Sequence, residues 1–251
     1  MSELPVSDYA VWLADDALIL GHRLSEWCGK APMLEEDLAL ANIGLDLLGQ
    51  ARALYAFAGA AEGKGRDEDD FAYGRDAAAY RNLLMLELPN GCFAFTIARQ
   101  FLVSAFAVPF WRALKASRES ELAAVAAKAE KEAAYHLRHA SEWLIRLGDG
   151  TPESGRRAQD ALDEIWAWTG EFFAMDAGEA ALAAAGAAVD RKALLPAWNA
   201  SVNAVLAEAA LVRPKDQWMQ SGGRSGRHTE HLGFILAELQ FVQRAYPGAT
   251  W

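Results

Sequence analysis

The chain has 251 residues, of which 53% are hydrophobic and 23% charged, and a formal net charge of −10. That length supports a full buried core, and that composition excludes disorder over the whole chain. The acidic balance disfavours nucleic acid and anionic lipid as partners. Alanine and leucine supply 83 residues, whereas valine, isoleucine and threonine supply 21. Strong helix formers therefore dominate, and the residues a sheet needs are scarce.

Residues 8–28 carry the first long helical pattern, with Ser7 as its expected cap and Asp8 in the first turn. Leu13, Ala17, Leu20, Leu24 and Trp27 form the apolar stripe, and Val11, Asp15, Leu18, His22 and Ser25 form a second, mixed one; Gly29 and Pro32 stop the helix. Residues 34–60 form the second, roughly 40 Å long at about 1.5 Å per residue. Leu34, Leu38, Ala41, Leu45 and Leu48 mark one face, and Ile43, Ala53 and Phe57 another, with Asp46 and Gln50 between them. A helix apolar on most faces is expected to be buried on most faces. The charged stretch Gly63 to Asp76 reads as a solvated loop, and 76–87 as a short helix ended by Pro89 and Gly91. Asn90 is the expected cap of a third long helix, 92–116, with a kink or early end at Pro109. Ser117 is the expected cap of the fourth, 118–147, which stops at Gly148-Asp149-Gly150. Further helices are expected at 154–168, 171–186, 191–211 and 228–245, with a glycine-rich loop at 213–227. No polar, low-complexity linker interrupts this order, so one helical domain spanning 1–251 is expected.

Met1 to Ser7 has neither a basic nor an apolar leader segment, and no run of 18 apolar residues lacks a charge. No spanning helix is therefore expected, and the cytoplasm is the default location. Cys28 and Cys92 are too few for a disulfide scaffold or a Cys₄ metal site. One disulfide stays arithmetically open, and a reduced setting is the simpler reading.

Four long helices arranged as two hairpins with a crossover of about 30 residues make the ferritin-like pattern, an all-α four-helix bundle with additional C-terminal helices. Such bundles hold two irons with a carboxylate from each of two helices and Glu-x-x-His from each of the other two. This chain does not supply that set. Three residues after Asp46 stands Gly49, and three after Glu132 stands Tyr135. From Cys92 to Ala116 there is no Asp or Glu, and Arg99 and Gln100 occupy the middle. Folding the hairpins on paper puts Asp46 near Asp16 or Ala17, and Glu132 near Val103. Asp16, Asp46, Glu132 and His136, with His22 and His139 nearby, could at most keep weak affinity for a single metal. A buried polar network is the expected use of these groups, and of Gln50. No catalytic, cofactor-binding or metal residue is assigned.

His228, Glu230 and His231 open the last helix without an evident third ligand. No glycine-rich phosphate loop follows a strand. The stretch 221–226 reads as a partner-touching loop or a solvated one. Core filling accounts for most of the nine tryptophans; Trp166 and Trp168, two apart on a helix, cannot face the same way, so at least one is expected to meet the accessory helices or another chain. An aromatic-rich, metal-poor bundle suits a supporting member of a larger assembly.

Four runs carry a family resemblance. They are Leu18-Ile-Leu-Gly-His-Arg-Leu-Ser-Glu-Trp-Cys28, Asp37-Leu-Ala-Leu-Ala-Asn-Ile-Gly-Leu-Asp-Leu-Leu-Gly-Gln-Ala-Arg52, Tyr135-His-Leu-Arg-His-Ala-Ser-Glu-Trp-Leu-Ile-Arg-Leu-Gly-Asp-Gly150, and His228-Thr-Glu-His-Leu-Gly-Phe-Ile-Leu-Ala-Glu-Leu-Gln240 with Arg244-Ala-Tyr-Pro-Gly248. Together they resemble the C-subunit family of the multicomponent ring-1,2-phenylacetyl-CoA epoxidases, over nearly the whole chain. The resemblance implies a ferritin-like structural subunit in a bacterial complex that epoxidises an aromatic ring with O₂. It implies a paralogous, catalytic A subunit that holds the di-iron centre, and an iron–sulfur flavoprotein reductase. It implies no metal set or cofactor for this chain itself, and the acidic balance and hydropathy imply neither nucleic acid nor membrane as a partner. Whether Arg213, Lys215, Arg224 or Arg227 helps hold coenzyme A stays open. The alternatives are a metal-binding oxidoreductase active by itself and a stand-alone homo-oligomeric binding protein.

Overall fold

A computed structural model describes residues 4–249. Among these the chain is all-α, with no strand, and its long hairpins are the elements of a ferritin-like bundle. The described residues form two compact units. One comprises residues 5–89 and 222–249; the other comprises residue 4 and 90–221.

In the first unit, α1 (Val6–Ser25) and α2 (Leu34–Glu62) form an antiparallel hairpin. Pro5 is the N-cap of α1, and Ser7 lies buried inside the first turn instead of capping it. The helices meet where both lack a side chain. A Cβ on Gly21 would lie 3.3 Å from the Gly44 carbonyl oxygen, and one on Gly44 3.3 Å from that of Gly21. This contact sets Asp46 level with Ile19, two residues beyond the expected Ala17 and three beyond Asp16. Leu40, Ile43, Leu47 and Leu54 are buried on the inner face of α2. Its outer face is not buried: Leu34, Leu38 and Leu45 are 71%, 57% and 64% exposed. The expectation that α2 is buried on most faces fails for this one, which Leu34, Leu38 and Leu45 mark as apolar. Gly63, at φ +65°, closes the helix in the left-handed conformation that glycine adopts freely.

Two expectations for the crossover are corrected. Residues expected as a solvated loop contain α3 (Glu68–Tyr73), started by a capping box between Asp67 and Asp70. It is anchored by buried Phe71, whose ring stacks on Tyr55 at 5.5 Å. The helix expected at 76–87 is instead two 3₁₀ turns, Ala77–Ala79 and Leu84–Glu87. Between them the backbone N–H groups of Arg81 and Leu83 donate to the carboxylates of Asp15 and Asp16, each at 2.8 Å. Acceptors on α1 thus satisfy donors that a continuous helix would satisfy internally.

In the second unit, α4 (Phe93–Leu114) and α5 (Ser120–Gly148) form the other long hairpin. Phe93 meets Trp143 edge-on at 5.2 Å, consistent with a turn near 117–118. α4 runs through Pro109 to Leu114. By length and apolarity it could cross a membrane, yet 72% of its most apolar stretch is buried in the protein. Neither expected cap is one. Cys92 and Glu119 hold the N-cap positions of α4 and α5. Asn90 instead takes the Thr96 hydroxyl on its carbonyl and Arg99 on its side-chain oxygen, and the Ser117 hydroxyl donates to the Ala187 carbonyl. α6 (Pro152–Ile165) passes into a 3₁₀ segment, Trp166–Phe172, before α7 (Ala177–Ala184) and α8 (Leu195–Glu208). That segment packs Phe172 on Phe106 at 5.0 Å, and Trp166 on Trp198 at 5.6 Å. Burying Phe172 completely stabilises by about 2 kcal/mol.

From residue 222 the chain again belongs to the first unit. The single helix expected at 228–245 is two, α9 (Glu230–Leu239) and α10 (Phe241–Ala245). They divide at Gln240, whose side-chain amide donates to the carbonyls of Ala72 and Arg75.

Candidate functional site

The acidic residues of α1 end in ion pairs that tie down the crossover. Asp15 is fully buried. It accepts from the Tyr55 hydroxyl at 2.5 Å, from Arg75 Nη1 at 3.1 Å and from the Arg81 backbone, and it forms an ion pair with Arg75. Arg75 also donates to the Phe71 carbonyl at 2.6 Å and lies 4.2 Å over the Tyr80 ring. Burial works to lower the basicity of Arg75, but the Asp15 carboxylate outweighs it and raises it. Burial, with Asp15 beside it, pushes the Tyr55 hydroxyl well above its ordinary range, and pushes Tyr80 up to about 12. Asp16 is a mirror case. It binds Arg224 at 2.6 and 3.0 Å while accepting from the Leu83 backbone. His22 is held below its ordinary value by burial, which Glu26 partly offsets.

Glu87 forms the second knot. His228 Nδ1 lies 3.0 Å from its Oε1, and Nε2 lies 3.0 Å from the Tyr80 carbonyl oxygen. Thr229 donates to Glu87 Oε2 from both its backbone N–H and its hydroxyl, at 3.1 and 2.9 Å. Both ring nitrogens of His228 therefore face oxygen, and the residue acts as a clasp on the crossover. His231 and Glu230 begin α9 beside it, and the Thr229 hydroxyl accepts from the His231 N–H as helix cap. Glu87 is a charge inside an otherwise apolar run, Leu83 to Leu88; that anomaly was the available signal for it.

In the second unit, Glu132 Oε1 lies 3.2 Å from Lys128 Nζ one turn away. His136 is buried, and so are Arg99 and Gln100. Gln100 donates to the Ser104 hydroxyl at 3.0 Å, and Arg99 donates to Asn90. Sequence reasoning missed a third knot. Arg191 and Glu179, both buried, pair through two 2.6 Å bonds while Arg191 also donates to the carbonyls of Glu171 and Phe172 at 3.0 Å. Nothing local to either residue marks it as interior.

This donor set does not fit a di-iron centre. Two irons need bridging carboxylates and an imidazole on each. α4 presents a guanidinium where a carboxylate is needed, Asp15 and Asp16 are bound to arginines, and His228 is bound to Glu87. Among the described residues no group of three or more His, Cys, Asp and Glu is placed to hold a metal ion. Of the basic residues near 213–227, Arg224 is taken by Asp16. The Arg213 guanidinium sits 5.0 Å over Trp166 and donates to Asn203 at 2.8 Å. Lys215 and Arg227 are exposed, and Lys215 borders a cleft of about 280 Å³ with Trp166 and Trp218. Cys28 and Cys92 are free and exposed.

A family model described as phenylacetic acid catabolic protein matches residues 2–251. The chain is similar to a protein of Escherichia coli (strain K12) described as the C subunit of 1,2-phenylacetyl-CoA epoxidase. The two are 51% identical over 243 residues, covering 97% of this chain and 98% of the other.

Proposed function

The chain belongs to the phenylacetic acid catabolic protein family, and on that premise we propose that it is the non-catalytic structural subunit of a multicomponent monooxygenase that epoxidises the ring of phenylacetyl-CoA. The observation that carries this reading is where the polar side chains go. In a ferritin-like frame they would converge on metal; here they clamp α1 to the crossover and to the segment before α9. Such clamps hold a helical surface in one conformation, as a supporting subunit requires. The chemistry belongs to an iron-bearing subunit of related fold, and a reductase supplies its electrons; the resemblance of the four sequence runs supports both partners and a cytoplasmic place of work.

The test is co-expression with that iron-bearing subunit. A complex should co-purify, and ring epoxidation should require this chain. The chain alone, incubated with ferrous iron and desalted, should retain far less than one metal per polypeptide and consume no O₂ with a reductase. Stoichiometric bound iron with O₂ consumption by the isolated chain would establish the alternative, an oxidoreductase in its own right. We further infer that residues 1–251 unfold as one domain, giving a single calorimetric transition; two resolved transitions would refute it.

A further inference from the structure

The segment 222–229 is short, glycine-rich and pressed closely against the crossover. It makes a single 3₁₀ turn, Gly223–Ser225, between Gly222 and Gly226, whose φ angles are +152° and +76°. A Cβ on Gly226 would lie 2.6 Å from the Ala78 carbonyl oxygen, so glycine lets the two backbones come this near. Two side chains then fasten the segment. Arg224 binds Asp16 and the Trp12 carbonyl of α1. His228 reaches the crossover with both ring nitrogens, its side chain 6% exposed.

The partners of the ring fix its charge. Nδ1 lies 3.0 Å from Glu87 Oε1, and Nε2 lies 3.0 Å from the Tyr80 carbonyl oxygen. A peptide carbonyl and an ionised carboxylate are acceptors only. A neutral imidazole has one N–H and would turn a lone pair toward one of these oxygens. Glu87 does not supply the missing proton. Its Oε2 takes the N–H and hydroxyl of Thr229, and its Oε1 takes the Asn82 amide at 3.3 Å. Three donors besides the ring hold it ionised. All the contacts are made only when the ring carries a proton on each nitrogen.

The other ionisable groups on the packed elements are occupied elsewhere. Arg23 of α1 donates to the Glu87 backbone carbonyl and pairs with Glu26, and Asp16 is matched by Arg224. On the crossover, Arg81 donates to the Ala78 and Tyr80 carbonyls. The Tyr80 hydroxyl, pushed up to about 12, donates to the Ala72 carbonyl and stays protonated. On the segment's own side, Arg227 reaches the Ser225 hydroxyl, Glu230 is exposed, and His231 gives its backbone N–H to Thr229.

We propose that residues 222–229 form a pH-sensitive latch on the crossover, closed while His228 is protonated and loosened when that proton leaves. Losing the proton sets a lone pair against an acceptor in a site almost closed to solvent, where unpaired polar atoms are costly. By linkage, opening releases a proton, so the latch weakens as pH rises. The sign is opposite to the effect of burial at His22. The latch stands on the geometry of this segment and does not rest on the monooxygenase reading.

Backbone hydrogen–deuterium exchange of the full chain, corrected for the intrinsic pH dependence of exchange, is the test. Between about pH 5.5 and 8.5, which spans the ordinary imidazole range, protection of residues 222–229 should fall by up to about tenfold per pH unit, the limit for one linked proton. Protection in α5 should not follow it. Imidazole nitrogen NMR at the acid end should show both His228 nitrogens protonated. His228→Asn, whose single amide cannot reach both oxygens, should abolish the pH dependence. Level protection of 222–229 in the parent would overturn the proposal. So would a neutral His228 ring in the protected state, or a slope that survives in His228→Asn. Should that variant fail to fold, the two measurements on the parent chain decide.

Discussion

Asp15→Asn isolates the electrostatic part of the crossover clamp. Asparagine matches aspartate in volume and keeps one acceptor oxygen, so packing around Tyr55 and Arg75 is preserved. What disappears is the negative charge opposite Arg75, whose side chain is only one-tenth exposed. The amide nitrogen would also face donors, since Tyr55, Arg75 and the Arg81 N–H all give hydrogen bonds to this carboxylate. Breaking a buried pair by removing one partner costs about 3–5 kcal/mol. Against a total stability of about 5–15 kcal/mol the protein still folds, but with a large deficit. With a urea m-value near 3 kcal/mol/M for a chain of this size, the midpoint should fall by about 1–1.7 M. The loss should also be local. Trypsin should cut at Arg75 and Arg81 in the variant under conditions in which the parent survives, because the crossover opens without global unfolding. The double variant Asp15→Leu, Arg75→Met removes both charges and should recover most of the deficit. A midpoint change below about 0.3 M for Asp15→Asn, or strict additivity in the double variant, would refute the view that this pair fixes the crossover.

Glu179→Gln should cost about 3 kcal/mol, because Arg191 is buried and keeps only carbonyl partners; a urea midpoint equal to the parent's would contradict this. At the α1–α2 crossing, Gly44→Ala should be nearly neutral, since a helix-propensity gain of about 1 kcal/mol offsets a tight 3.3 Å contact. Gly44→Leu should destabilise by about 2–3 kcal/mol by forcing the helices apart, and equal thermal midpoints for the two variants would remove the close-approach argument. His22 has a folded-state value depressed by burial, so the unfolded chain takes up its proton first. Stability is therefore full above about pH 6.5 and falls as pH drops from there through the lowered folded value. His22→Gln should remove this slope from a plot of urea midpoint against pH; an unchanged slope would show that His22 is not its source. Tyr55→Phe should leave the Asp15–Arg75 pair intact and cost about 1–2 kcal/mol, measured as a smaller midpoint shift than that of Asp15→Asn.

How much was legible in the chain follows the range of the interaction concerned. Helix existence came from local repeats: Leu122, Ala126, Ala129, Ala133 and Ala140 are buried at the spacing that marks α5, and α1, α2 and α4 began within two residues of their expected starts. The lack of a Glu-x-x-His pair in the long helices is likewise a local pattern that can be read from the chain, as is the lack of any acidic residue in α4. The caps fared worse. Ser7, Asn90 and Ser117 are good N-cap types, but each found a different role once neighbouring segments offered other partners or the helix started earlier.

The sequence by itself determined an all-helical chain, its long hairpins, its family and the absence of a di-iron ligand set, because helix propensity, apolar periodicity and ligand spacing are properties of neighbours within a few turns. Only the tertiary structure decided what the surviving polar groups do. Asp15 meets Arg75 sixty residues away, Asp16 meets Arg224 at a separation of 208, and Glu87 meets His228 at 141. Such pairings depend on how the backbone brings distant segments together, and once made they override the local preference of 76–87 for helix. The outer face of α2 shows the same division: its leucines are plain in the sequence, but their exposure depends on which side of the hairpin the chain leaves uncovered.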